Sequence, residues 1–172
     1  MTIQTILHYP DSRLRNIGEK IGIITPNIRA LINDMAETMY KARGVGLAAT
    51  QIGEPFQIFL IDIAADNEPS DLRVFINSEI LKTDEIEISW AEGCLSFPGV
   101  TEEIKRSYIV RVKALDRDGV SFELSAEGLL AVAIQHEHDH LQGILMIDYL
   151  GPLKKRIVHR KMLKRANAAK EL

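Results

Sequence analysis

The stretch Glu127-Gly128-Leu129-Leu130-Ala131-Val132-Ala133-Ile134-Gln135-His136-Glu137-His138-Asp139-His140-Leu141 decides how the rest of the chain must be arranged. Leu129, Leu130, Val132, Ala133, Ile134 and Leu141 leave it no continuous polar face, so a helix here is expected to be buried. Gly143 follows as a terminator. A buried helix needs other elements around it, and the upstream sequence offers strands. Short runs at 56–61, 73–76, 85–89, 109–114 and 120–124 are strand-like, with Ile86 and Ile88 alternating against Glu85 and Glu87. Asp118-Gly119 signals a two-residue hairpin between the last two runs. An earlier helix opens at Thr25-Pro26, continues through Ile28, Leu31, Ile32, Met35, Ala36 and Met39, and stops near Gly44. A last helix is expected over 152–170, with Leu153, Ile157 and Leu163 as its apolar face. Strands in the middle and helices at the edges predict an α+β fold. Its mixed or antiparallel sheets would pack around the central helix, with a C-terminal helix added. The chain has 172 residues and no internal repeat, which fits a single domain over 1–172.

The central helix also carries the chemistry. His136 and His140 stand at i and i+4 and share one face, so both imidazoles can reach one cation at about 2.0–2.1 Å. Glu137, adjacent in sequence, can sit beside a metal-bound water without being a ligand, the H-E-x-x-H arrangement of metal-dependent hydrolases. Two histidines and a carboxylate on a buried helix need partners, and a metal satisfies all three together. His138 lies on another face and reads as an ordinary polar residue. A catalytic site of this kind takes three protein ligands and leaves one position for water. Cys94, in Glu92-Gly93-Cys94-Leu95-Ser96, is the candidate third ligand; its other reading is a small buried hydrophobe. The segment Gly44-Val45-Gly46-Leu47-Ala48-Ala49-Thr50-Gln51 is too rich in small residues to be a good core element. Its glycines instead allow close approach of a backbone or ligand. Gln51 could stabilise developing oxyanion charge, or be a structural amide.

Composition narrows the function classes. Hydrophobic residues make up 46% and charged residues 26%, which excludes intrinsic disorder. No apolar run approaches the roughly 20 residues of a membrane span, and the first ten residues lack the pattern of a secretory signal. One cysteine cannot form an internal disulfide and fits a reducing cytosol. The net charge of −3 hides an asymmetry: residues 1–153 sum to −10, whereas residues 154–172 sum to +7. That basic tail reads either as a solvated helix or as a docking element for a polyanion such as RNA.

Three segments together resemble the peptide deformylase family: Gly44–Gln51, Glu92–Ser96 and Gln135–Leu141 match its glycine loop, cysteine segment and histidine helix, in its order. The likeness runs from Tyr9-Pro10-Asp11-Ser12-Arg13-Leu14-Arg15 to Asp148-Tyr149, and the compact spacing is similar to the bacterial type 1 branch. The resemblance implies removal of the formyl group from the N-terminal formyl-methionine of nascent polypeptides, releasing formate. It implies Cys94, His136 and His140 as metal ligands and Glu137 as general base, then acid. Gln51 and the Leu95 backbone N–H would hold the oxyanion, and the Gly46 backbone would pair with an extended substrate. Val45, Leu129, Val132 and Ala133 would wall a methionine pocket, and Glu92 and Arg106 would form an ion pair that steadies the Cys94 strand. It further implies one divalent metal, Fe2+ in the cell with Zn2+ or Ni2+ as substitutes, and ribosome docking through the C-terminal helix. A cytoplasmic bacterial monomer is expected, with an organellar mature form as the other possibility. One departure stands out: several relatives carry an arginine shortly after the cysteine segment, where this chain has Gly99-Val100-Thr101-Glu102-Glu103.

Two rivals stay open on the residues alone. An H-E-x-x-H peptidase would take its third ligand from a further His or Glu downstream, but no His–Gly–His pattern follows His140, and His159 lies in the basic tail. A purely structural metal site would fill its fourth position with protein and would have no use for Glu137.

Overall fold

The structure is a computed structural model that describes residues 2–65 and 68–169. Lys170 and Glu171 of the basic tail, and the chain ends Met1 and Leu172, lie outside the described residues.

A five-stranded antiparallel sheet forms the centre, in the order β1 (Gly46–Ala48), β2 (Ile58–Ile61), β3 (Arg73–Thr83), β6 (Ile109–Leu115), β7 (Ser121–Glu127). A separate antiparallel hairpin pairs β4 (Glu87–Gly93) with β5 (Thr101–Ser107). Among the described residues three α-helices complete the α+β architecture: α1 (Pro26–Lys41), α2 (Gly128–Leu141) and α3 (Pro152–Ala168).

Alternation along the strands builds two cores back to back, because successive side chains leave a strand on opposite faces. Ile58 and Leu60 of β2, with Val74 and Ile76 of β3, pack with Ile28, Ile32, Met35 and Met39 of α1. Their neighbours Phe59, Ile61 and Phe75 point the other way, onto Ala131, Ala133, Ile134 and Leu141 of α2. A third core joins α3, through Val158 and Met162, to Leu7, Leu14, Phe97, Val100 and Ile104.

Thr25 caps α1, accepting a hydrogen bond from the Ile28 amide at 3.4 Å, and Pro26 takes the first turn, where its missing N–H costs nothing. Asn77 interrupts β3 with φ +53° at a shift in register. Its side-chain amide stabilises that bend by donating to the Ile21 carbonyl (2.7 Å) and accepting from the Ile21 amide (2.8 Å).

Four expectations need correction. The glycine segment is a core element after all: Leu47, Ala48 and Ala49 are fully buried in β1 and the turn after it. Small residues suit it because β1 is squeezed between α1 and α2. The last helix turns the other way: Leu153 is 70% and Ile157 57% exposed, with Leu163 also exposed, whereas Val158 and Met162 face the core. Asp118-Gly119 is not a two-residue hairpin. Residues 116–120 form the loop, closed by the Asp116 amide donating to the Val120 carbonyl at 2.9 Å, with Gly119 at φ +84°. Finally β5, with alternating Glu102, Ile104 and Arg106, was missed because its charges mask a strand whose buried face holds an ion pair.

Candidate metal centre and groove

α2 presents His136 and His140 on one face, as the i, i+4 spacing requires. Their Nε2 atoms lie 3.3 Å apart. Cys94 follows the end of β4 in a tight turn, where the Phe97 amide donates to its carbonyl at 2.9 Å. That turn brings Cys94 Sγ to 3.3 Å from His140 Nε2, and the three ligand atoms all lie within 4.8 Å of one another. One sulfur and two ring nitrogens converging on a point form a donor set that suits a first-row divalent metal. His140 Nδ1 and Glu137 Oε2 are buried with no hydrogen-bond partner among the described residues. The side chains present therefore fit a metal ion, with Glu137 left over as a group beside it.

The charges around the pocket agree. Burial works against a protonated His136, but the Cys94 sulfur and the Glu92 and Glu137 carboxylates outweigh it and hold the imidazole well above its ordinary value. His140 goes the other way, well below, driven by burial and then by His136 and Arg106. The pair thus accommodates one positive charge and resists a second. Burial pushes the Glu137 carboxyl up to about 7.

Neighbouring side chains set the orientation. Glu92, opposite α2, accepts from His136 Nδ1 at 2.7 Å. It also takes two hydrogen bonds from Arg106, at 2.7 and 3.0 Å, with both residues 4% exposed. The expected Glu92–Arg106 pair is therefore present and does more than steady a strand. The sequence reading missed Asp139 and Tyr149. Asp139 accepts from Arg106 at 2.6 Å and from the Tyr149 hydroxyl at 2.7 Å, and the guanidinium sits 4.5 Å from the Tyr149 ring centroid. Asp139 lies inside the motif itself, and its pairing with a residue 33 positions away leaves no sequence signal. Ser96 was missed likewise.

Gln51 is 1% exposed, and its amide is held at both ends. Oε1 accepts from the Ala48 amide at 2.8 Å, so Nε2 must point toward Ser96 Oγ (3.1 Å) and Cys94 Sγ (3.6 Å). An open groove of about 530 Å³ runs past these atoms, lined by Val45, Gly46, Gln51, Cys94, Leu95, His136 and Glu137. Gly99, Val100 and Thr101, in the stretch that replaces the relatives' arginine, line it too. Among the described residues β1 pairs only with β2, so the edge of Gly46 toward the groove carries no strand there. Any side chain at Gly46 would collide with Glu137 Oε1. A smaller pocket of about 130 Å³ opens beside Glu137, walled by Val45, Leu129, Val132 and Ala133, all four expected, together with Trp90, which was not. His138 stands apart, bonded to Ser78 Oγ at 2.9 Å.

Comparison with known proteins agrees with this geometry. The polypeptide deformylase family model matches residues 3–156. The peptide deformylase of Azotobacter vinelandii is 52% identical over 166 residues, covering 95% of this chain and 96% of that one. That of Pseudomonas aeruginosa is 49% identical, at 95% and 96% coverage. The crystal structure of a peptide deformylase from Legionella pneumophila, 44% identical, superposes with a TM-score of 0.91 over 99% of each chain. The Ehrlichia chaffeensis peptide deformylase in complex with actinonin, 33% identical, gives 0.91 over 96% of this chain and 98% of that one. The chain belongs to the polypeptide deformylase family and is an enzyme of that family.

Proposed function

We propose that this chain, working as one catalytic domain over 1–172, hydrolyses the formyl group from the N-terminal formyl-methionine of nascent polypeptides and releases formate. The observation that carries the reading is the convergence of Cys94 Sγ, His136 Nε2 and His140 Nε2 next to Glu137, whose buried Oε2 has no hydrogen-bond partner among the described residues, at the floor of an open groove.

Cys94, His136 and His140 would hold one divalent metal, Fe2+ in the cell with Zn2+ or Ni2+ as substitutes; when bound, it lowers the pKa of water and polarises a carbonyl oxygen. Glu137 takes the proton from the attacking water and returns it to the departing amine nitrogen. A C–O bond forms as the formyl C–N bond breaks, leaving formate and a free N-terminus. Negative charge gathers on the former carbonyl oxygen. The Gln51 amide, already aimed at this point by Ala48, and the Leu95 N–H stabilise it. The unpaired edge of β1 at Gly46 binds extended backbone as an added strand. Val45, Leu129, Val132 and Ala133 enclose the methionine side chain.

The test is formate release from formyl-Met-Ala-Ser under anaerobic conditions, with metal quantified in the same sample. Stoichiometric metal and turnover of the formyl peptide, with the unformylated peptide left intact, are expected. Glu137→Ala should lose turnover by at least the 10²–10⁴-fold typical of general acid–base catalysis while keeping its metal. Full activity in that variant would reject the assigned role.

The same reading places the protein in the bacterial cytoplasm as a monomer that meets its substrates at the ribosome through α3. Among the described residues no helix is long and apolar enough to cross a membrane. Arg156, Arg160 and Lys164 are exposed on α3 and make no ion pair among the described residues. Reversing these three charges to Glu is expected to abolish salt-sensitive ribosome binding without touching Val158 and Met162.

A further inference from the structure

Trp90 is the only tryptophan in the chain, and nothing in the reading so far uses it. It stands two residues before Glu92 on β4, and side chains at i and i+2 leave a strand on the same face. Glu92 reaches α2 at His136. Trp90, one strand repeat earlier, meets α2 where Leu129, Val132 and Ala133 come up, at helical spacings of seven, four and three residues before His136. The two elements therefore run past each other with matched steps. Glu92 and His136 form one rung, and Trp90 with the aliphatic wall forms the next.

The composition of that second rung is uneven. Val45, Leu129, Val132 and Ala133 are aliphatic and poorly polarizable, and Ala133 leaves room. The indole is the one large aromatic group on the pocket. It is 37% exposed, although a tryptophan on a hairpin face has ample apolar surface to bury. An aliphatic guest would gain from such a pocket by area alone. A thioether gains more, since divalent sulfur makes favourable contacts with aromatic rings.

We infer that Trp90 is a specificity-determining residue that recognises the sulfur of the substrate's first side chain, so that the pocket separates methionine from unbranched aliphatic side chains of the same length. This rests on the deformylation reading above and deepens it. The aliphatic walls set length and shape; the indole sets the preference for sulfur over methylene.

The experiment uses the nickel-loaded protein and two peptides that differ only at that atom, formyl-Met-Ala-Ser and formyl-norleucyl-Ala-Ser. The wild-type protein is expected to favour methionine in kcat/KM by roughly 2- to 10-fold, the span that sulfur–aromatic contacts support. Trp90→Leu should bring the methionyl-to-norleucyl ratio to about 1, and Trp90→Tyr should keep most of the preference. An unchanged ratio in Trp90→Leu overturns the inference. A readout independent of turnover comes from the single indole. Its fluorescence should shift on titration with Met-Ala-Ser and not with Ala-Ala-Ser, and the absence of any shift with the methionyl peptide likewise overturns it. No formate from either formyl peptide would count against the deformylation reading, and the fluorescence titration would still decide the role of Trp90.

Discussion

Glu92 holds His136 by its Nδ1–H at 2.7 Å, and in doing so fixes which ring nitrogen faces Cys94 and His140. The same carboxylate is clamped by Arg106, itself held by Asp139. One buried network therefore ties the cysteine hairpin to the histidine helix. Partners of this kind fix the tautomer and ring orientation of a ligating histidine.

Replacing Glu92 by Ala should therefore do two things. It leaves a buried guanidinium with only Asp139, which costs about 3–5 kcal/mol when a buried pair is broken. It also frees the His136 ring, which should lower metal affinity roughly 10- to 100-fold. Urea unfolding and chelator competition measure the two effects separately. Unchanged metal affinity would show that Glu92 does not orient His136.

Gly46→Ala separates the proposed role of Glu137 from that of the candidate metal ligands. The added methyl would run into Glu137 Oε1, while Cys94, His136 and His140 are left alone. Turnover is expected to fall by at least 10-fold with metal content unchanged, since small displacements of a catalytic group cost about 10²-fold. Equal activity in the variant would mean that Glu137 yields without consequence.

Arg15 and Asp148 make a bidentate pair that fastens the N-terminal segment to the turn after α2. Burial pushes the Asp148 carboxyl up, but hydrogen bonds from Arg15 and from the Leu145 amide outweigh it and leave it below its ordinary 3.8. A lowered pKa in the folded state means that stability is fully present above about pH 4 and is lost as pH falls through the folded value. The Asp148→Asn variant should therefore be less stable than wild type at pH 7, by about 0.5–1 kcal/mol for a partly exposed pair, and the gap should narrow as the pH is lowered from 7 toward 3. Denaturant titrations at both pH values check this; a gap that persists in acid would refute it.

Met162→Ala should cost about 2–5 kcal/mol, because Met162 is 1% exposed in the third core beside Phe97 and Ile147. Leu153→Ala, at 70% exposure, should change stability by less than about 0.5 kcal/mol. A thermal-unfolding comparison of the two variants reads out which face of α3 is packed. For the same reason, deleting α3 after Gly151 would confound ribosome binding with loss of core.

Chemistry that is local in sequence was legible from the start. His136 and His140 owe their shared face to helical periodicity alone, with Glu137 next to them in sequence, and Gln51 and Cys94 were marked by the glycine-containing segments they lie in. What was not legible depended on contacts across long separations. Asp139 carries no role of its own in the sequence until Arg106 arrives from β5, and Trp90, just past the 85–89 run, carries none until α2 lies against it. On α3 the periodicity of Leu153, Ile157 and Leu163 misled, because charge and spacing cannot say which side of a helix meets the core.

The sequence by itself determined the helices and most of the strands and singled out His136, Glu137, His140 and Cys94 as candidates, since capping, turn residues and helical spacing act over a few positions. The tertiary structure alone decided which of those side chains meet. Closing the separate β4–β5 hairpin against α2 sets Cys94, Glu92 and Trp90 opposite the histidine helix, and that register comes from contacts between segments far apart in sequence, such as Glu92 with His136 and Arg106 with Asp139, a property of the whole chain rather than of any segment.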